Sequence, residues 1–208
     1  MNTFLRLLRP GLLAVVSLVL ATTVWAQSTM VRLHTTQGPI DIQLYDTAAP
    51  KTVANFLSYV RSGAYADNFI HRSVPGFVVQ LGGYAWPASG YAGHITTLPP
   101  VVNEFSVTRS NVRGTVAMAK LGGDPNSATS EFFFNLGNNA SNLDTQNGGF
   151  TVFGRVTTPG MAVVDRIAAL RTVNAGGAFA NLPVVNFSGS TLLREHVVRL
   201  TEVTEFPP

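Results

Sequence analysis

Apolar and polar positions alternate along Val31-Arg32-Leu33-His34-Thr35-Thr36 and again along Ile40-Asp41-Ile42-Gln43-Leu44-Tyr45, with Gln37-Gly38-Pro39 between them. A period of two marks a half-buried strand, so the pair predicts a hairpin. The period then changes. Val53, Phe56, Leu57 and Val60 recur at i, i+3, i+4 and i+7, one apolar face of a helix beginning near Pro50. Proline suits a first helical turn, and Gly63 suits the helix end. Such a helix is expected to plug the mouth of a barrel.

Phe69 to Gln80 reads as strand, turn and strand, bent at Pro75-Gly76. Strand parity places Phe77 with Val79 on one face and Val78 with Gln80 on the other, unless the strand twists or bulges at Gly82-Gly83. Tyr84 to Pro100 has no clear period and predicts a long surface loop. Its Trp86, Tyr91 and His94 are expected to fill a small loop core rather than to meet a ligand. Strands are expected over Val112–Ala119, Glu131–Leu136, Phe150–Val156 and Glu195–Val203, with turn-rich Gly122–Asn126 and polar Asn138–Gly149 as loops. Met161, Val164, Ile167 and Ala168 mark a second, shorter helix, and Ala175–Phe187 is irregular. Roughly eight antiparallel strands with two capping helices predict a mainly β fold, an eight-stranded barrel closed to remove its edges. Pro207-Pro208 is expected to be a loose tail.

Composition changes the picture at the start of the chain. Arg6 and Arg9 precede an apolar run from Gly11 to Ala21, and Val24-Trp25-Ala26 offers small residues where a signal peptidase reads. Residues 1–26 are therefore expected to be a cleaved signal peptide, with 27–208 a single domain in the periplasm. The run is shorter than the ~20 residues a spanning helix needs, so no membrane association is expected after cleavage. The chain has 14 basic and 11 acidic side chains, and without Arg6 and Arg9 the balance is 12 against 11. No Lys/Arg cluster marks a nucleic-acid surface. With no cysteine, disulfides and thiol chemistry are excluded, and stability rests on the core. The histidines lack ligand spacing, so no metal is expected.

The candidate chemistry gathers around Phe69-Ile70-His71-Arg72-Ser73-Val74-Pro75-Gly76-Phe77-Val78-Val79-Gln80. One arginine, the strongest fixed donor a protein has, stands beside a large aromatic and a primary amide. Arg113–Ala119, Ser127–Asn135 with Ser130-Glu131-Phe132-Phe133-Phe134-Asn135, Leu143-Asp144 and Phe150–Gly154 follow. Together these stretches resemble the cyclophilin family of peptidyl-prolyl isomerases, in its exported bacterial branch, from about Met30 to about Glu202. The resemblance implies a cofactor-free monomer that accelerates cis-trans rotation about X–Pro bonds in proline-containing polypeptides and so assists the folding of exported proteins. It implies Arg72 as the catalytic donor. It implies Phe77, Val78, Phe133, Leu143 and Phe150 at the proline pocket, Gln80 steadying the arginine, and Ala119 and Lys120 meeting the peptide before proline with their backbone.

Four positions depart from the family pattern. Glu131 stands in place of a glutamine; an ion pair with Arg72 is expected either to orient it or to draw it away, weakening catalysis, so that Glu131→Gln would raise efficiency. Asn142 replaces a tryptophan or phenylalanine and implies a poorer fit to cyclosporin. Phe150 replaces a histidine or tyrosine, and Leu81 a glycine. His71 is expected to be structural. Asn139-Ala140-Ser141 and Asn186-Phe187-Ser188 match a glycosylation pattern that is commonly accidental. An alternative reading keeps the same groove as a proline-peptide-binding chaperone module with little turnover.

Overall fold

The structure, a computed structural model, describes residues 28–206. The expected signal peptide and the Pro207-Pro208 tail lie outside the described residues. In chain order the elements are β1 (Met30–Thr35), β2 (Gly38–Leu44), α1 (Pro50–Arg61), β3 (Arg72–Val74), β4 (Val78–Leu81), β5 (Tyr84–Ala85) and β6 (Gly93–His94). Then come β7 (Thr115–Met118), β8 (Phe132–Asn135), α2 (Ala140–Leu143), β9 (Val152–Val156), α3 (Thr158–Ala168), β10 (Thr172–Val173), β11 (Leu182–Pro183) and β12 (Leu200–Phe206). Eight strands form one antiparallel sheet in the order β12-β1-β2-β9-β7-β8-β4-β3.

The expected closed barrel is corrected to an open, curled sheet. Its edge strands β3 and β12 form no ladder with each other. A single bridge, Phe69 to Arg199, crosses the seam, with Ile70 N donating to Val198 O (2.9 Å) and Leu200 N to Asn68 O (2.7 Å). The ladder stops there because the segment before β12 turns into a 3-10 helix at Arg194–His196, and the free edge of β3 is taken instead by Asn181, whose carbonyl accepts from Ser73 N (2.8 Å).

The two faces of the sheet carry different jobs. Val79, Leu81, Val116, Met118, Phe132, Phe134 and Phe153 point into the main core. The expected apolar face of α1 lies on them, with the Phe56 ring 5.2 Å from both Phe132 and Phe153. Ala49 gives α1 no side-chain cap. Instead the Glu104 carboxylate, from a distant loop, accepts from Lys51 N (3.1 Å) and Thr52 N (2.7 Å), satisfying two of the free amides at that end. The opposite face of β4, β7, β8 and β9 bears Val78, Ala117, Phe133 and Val152, which form a second cluster with Leu143 of α2. The register slips between Val116 and Ala117, so that Ala117 pairs with Val152 while Phe153 stays in the core.

Three sequence expectations shift. The polar Asn138–Gly149 stretch contains the short helix α2, making three α-helices among the described residues where two were expected. The last strand begins at Leu200 rather than Glu195, because Arg194–His196 forms a 3-10 turn. In the Tyr84–Pro100 loop, Trp86 packs on Phe69 (6.3 Å between rings) as expected of a loop core, whereas Tyr91 is 93% exposed.

Candidate active site

A row of directly paired residues runs across the outer face of the sheet. Arg72 of β3 faces Gln80 of β4, Gln80 faces Phe133 of β8, Phe133 faces Ala117 of β7, and Ala117 faces Val152 of β9. Antiparallel register thus sets the guanidinium, the amide and the apolar floor side by side. Val78 and Gln80 share this face, as strand parity requires. Phe77 joins them by another route. It lies before β4 begins, in the turn closed by Phe77 N donating to Val74 O (3.0 Å), with Gly76 at φ 75°. Pro75 then Gly76 is the order a type II turn demands, because its third position needs positive φ. The break in parity therefore precedes the strand rather than following it at Gly82-Gly83.

These side chains line a cavity of about 250 Å3 formed by Arg72, Phe77, Val78, Gln80, Ala119, Lys120, Phe133, Leu143, Gln146 and Phe150. Nine of the ten expected site residues are in it. The tenth, Glu131, lies one wall away. It faces a neighbouring cavity of about 430 Å3 that shares Gln80, Ala119 and Lys120 and is also lined by His94 and Asp124. Gln146 was not expected; it sits in a polar stretch with no period to single it out. Asn142, on the exposed side of α2, lies outside the cavity lining, and Gln146 Nε2 donates to its side-chain oxygen.

The walls are held by a buried polar network that nothing in the hydrophobic pattern announces. Asn139 Nδ2 donates to Phe77 O (2.9 Å) and to Asn135 Oδ1 (2.7 Å), and Asn135 Nδ2 donates to Asn111 Oδ1 (3.1 Å). Asn111 Nδ2 in turn donates to Phe150 O (3.0 Å) and to Asp144 Oδ1 (2.8 Å). A chain of amides therefore ties one wall of the cavity to the other. Burial pushes the Asp144 carboxyl up, but its bonds from Ser110 and Asn111 outweigh that and hold it below the usual range. Asn139, the first of the two glycosylation-pattern asparagines, is buried, and its amide nitrogen is engaged twice in this network. Lys120 is also occupied. Its Nζ donates to Asn147 O (2.7 Å) and Gly149 O (2.6 Å) and sits 4.8 Å from the centre of the Phe150 ring. Burial holds its pKa below the ordinary lysine value. The side chain is a brace between loops at the edge of the cavity.

Arg72 is half-buried, with its guanidinium carbon 5.8 Å from the centre of the Phe77 ring and Nη1 donating to Gln80 Oε1 (3.1 Å). Burial lowers its pKa, yet an arginine stays charged. The expected ion pair between Glu131 and Arg72 is absent among the described residues. Gln80 stands between them, its Nε2 donating to Glu131 Oε2 (2.7 Å). Burial raises the Glu131 pKa against the opposing pull of that bond and of His94. His71 Nε2 lies 3.5 Å from the same oxygen, but burial, with Arg72 and His94 nearby, lowers the imidazole pKa to about 4. The contact at neutral pH is therefore that of an uncharged ring. Among the described residues no group of three histidines, cysteines or carboxylates is placed to hold a metal.

The arrangement offers an apolar niche for a five-membered ring and a charged donor at its rim. It suits a reaction that needs a strained amide recognised rather than a bond broken. Residues 30–188 match the family model described as cyclophilin type peptidyl-prolyl cis-trans isomerase. The chain is 42% identical over 158 residues to peptidyl-prolyl cis-trans isomerase A of Dickeya dadantii, covering 75% of this chain and 79% of that protein. It is 40% identical over 151 residues to peptidyl-prolyl cis-trans isomerase B of Escherichia coli, covering 71% and 88%. In fold it is similar to a Cryptosporidium parvum cyclophilin type peptidyl-prolyl cis-trans isomerase, with a TM-score of 0.64 over 87% of this chain and 99% of that one at 19% identity. An eight-stranded sheet with an arginine set beside an apolar niche on its outer face, and a family match running through nearly all of that sheet, lead to one conclusion: the chain belongs to the cyclophilin family of peptidyl-prolyl cis-trans isomerases.

Proposed function

We propose that Arg72 is the catalytic donor of this isomerase, and that its substrates are proline-containing segments of exported polypeptides folding in the periplasm. Rotation about X–Pro is slow because the partial double bond must be broken, at ~20 kcal/mol. In the twisted state the nitrogen leaves conjugation, becomes pyramidal and gains a lone pair. A guanidinium held beside the niche donates to that lone pair and to neither planar form. The enzyme thus binds the transition state better than the ground state. A charge-assisted bond of roughly 2–3 kcal/mol corresponds to about a hundredfold in rate.

The observation that carries this reading is the Arg72–Gln80 pair, Nη1 to Oε1 at 3.1 Å, at the edge of a cavity floored by Phe133. Phe77, Val78, Phe133, Leu143 and Phe150 would take the proline ring. The backbone of Ala119 and Lys120 would take the residues before it. The test is a protease-coupled assay on a short X–Pro peptide. Arg72→Ala is expected to lose about a hundredfold in kcat/KM, with peptide binding retained. Equal peptide binding with no turnover in either protein would favour the chaperone module instead. Export is tested separately: the protein recovered from a periplasmic extract is expected to begin at Gln27.

A further inference from the structure

We propose that Glu131 is a positioning residue whose charge reinforces the orientation of the Gln80 amide, and through it of Arg72, so that protonating Glu131 loosens the hold on the arginine. The inference rests on Arg72 being the catalytic donor. A guanidinium can only donate and a carboxylate can only accept. The amide between them has one end of each kind. With its Nε2 on Glu131 Oε2 (2.7 Å) and its Oε1 on Arg72 Nη1 (3.1 Å), both neighbours are satisfied. The flipped amide would set NH2 against the guanidinium and a carbonyl against the carboxylate, two repulsive contacts. One orientation is therefore selected by both neighbours while Glu131 is charged, and by Arg72 alone once it is neutral.

A protonated Glu131 carries an O–H and can donate it to the oxygen of the flipped amide. Only the Arg72 contact then opposes the flip, so the flipped amide becomes more populated, and in that fraction Arg72 loses its acceptor and its fixed aim. A neutral glutamine at 131 donates and accepts, so it permits both orientations at every pH. The sign is opposite to that expected of a direct ion pair, because Glu131 touches Gln80 and not the guanidinium. The fold reserves room for this carboxylate. Gly83 lies against it, and a Cβ there would collide with Glu131 Oε1.

The groups facing Glu131 come from several elements. His71 precedes β3, Arg72 and Gln80 lie on β3 and β4, and Tyr84 and His94 on β5 and β6. Tyr65 lies beyond α1, and Lys120 and Asp124 lie across the second cavity. Burial raises the pKa of this carboxyl from its ordinary value, while burial lowers that of His71 to about 4. Turnover should therefore fall on the acid side in the range where Glu131 takes its proton.

The experiment is the pH profile of kcat and KM from neutral pH down to the acid limit of the folded protein, on an X–Pro peptide with no titratable group. Alongside it, the side-chain amide resonance of Gln80 is followed by NMR in the wild-type protein. In wild type, kcat is expected to decline toward acid by up to about tenfold, the worth of one hydrogen bond, with KM unchanged and the Gln80 resonance moving at the same midpoint. Glu131→Gln is expected to be a few-fold slower at neutral pH and flat with pH. Gly83→Ala, which displaces the carboxylate, should flatten the profile likewise, and His94→Phe should keep an acid limb. An acid limb that persists unchanged in Glu131→Gln, or a Gln80 resonance that does not titrate, overturns the proposal. Arg72→Ala separates the two readings. If it is as active as wild type, the catalytic role of Arg72 has failed; if it is slow while Glu131→Gln keeps the limb, only the role of Glu131 has.

Discussion

Acid should unfold this protein in part through one side chain, His71. Its ring is almost wholly buried between β3 and the β5–β6 hairpin, edge-on to Tyr84 at 4.9 Å, and its Nδ1 has no partner. Burial first, and the charge of Arg72 second, lower its pKa from 6.5 to about 4. An unfolded chain therefore binds a proton at this residue between those two pH values while the folded protein does not, so stability rises with pH across that window. The full stabilisation is present above pH 6.5 and is lost as pH falls toward 4. At about 1.4 kcal/mol per pH unit the whole window is worth roughly 3 kcal/mol. That is a large share of the ~5–15 kcal/mol that holds a domain together.

The perturbation is His71→Phe, which keeps a planar ring against Tyr84 and removes both the proton site and the unpartnered nitrogen. Urea unfolding followed by Trp86 fluorescence, at pH 7 and at about pH 4.5, gives the two stabilities. Wild type should lose about 2 kcal/mol more than the variant between those conditions. Glu131 contributes with the opposite sign: its raised pKa destabilises the charged form, and that cost is relieved as pH falls. Because His71 Nε2 lies 3.5 Å from Glu131 Oε2, the comparison is repeated in the Glu131→Gln background, where that contribution is absent from both proteins. Equal losses in wild type and His71→Phe would refute the reasoning, since the imidazole would then titrate alike in the folded and unfolded chain.

Two further substitutions probe how the walls of the cavity are held. Asn139→Ala removes the donor to Phe77 O and Asn135 Oδ1; it should cost roughly 2–3 kcal/mol in urea unfolding and raise KM more than it lowers kcat, and unchanged stability would sink the idea. Lys120→Met keeps the stem but drops the bonds to Asn147 O and Gly149 O. Hydrogen exchange at the amides of 147–149 should quicken, and KM for proline peptides should rise several-fold; exchange at the wild-type rate would show that the ammonium is not the brace.

What could be read from the chain, and what could not, divides along the range of the interactions. Val53, Phe56, Leu57 and Val60 mark α1 because a helix face is written within eight residues. The carboxylate that caps it belongs to Glu104, far along the chain, and no local pattern points there. The first hairpin is legible for the same local reason. The seam between β3 and β12 is not, since whether a curled sheet closes depends on the length of its edges. Within the site, parity correctly grouped Val78 with Gln80. It did not place Phe77, because a turn residue is free of the strand's alternation. Asn111, Asn135 and Asn139 lie in stretches that read as loop or strand end, and only the assembled fold makes them one network.

Glu131 is the sharpest case of the same division. Its identity beside Phe132 and Phe133 is plain, and so is the consequence of placing a carboxylate near an arginine. Whether the two meet depends on which residue of β4 pairs with which residue of β8. The register Gln80 to Phe133 places Gln80 across from the residue two beyond Glu131, and the side-chain amide fills the space through which an ion pair would have formed. A salt bridge would have drawn the guanidinium toward the second cavity and away from the niche. An intervening amide transmits the preference of the carboxylate while leaving the remaining donors of the arginine for a substrate nitrogen. The same two charged residues can thus oppose catalysis or support it, and a side chain between them decides which.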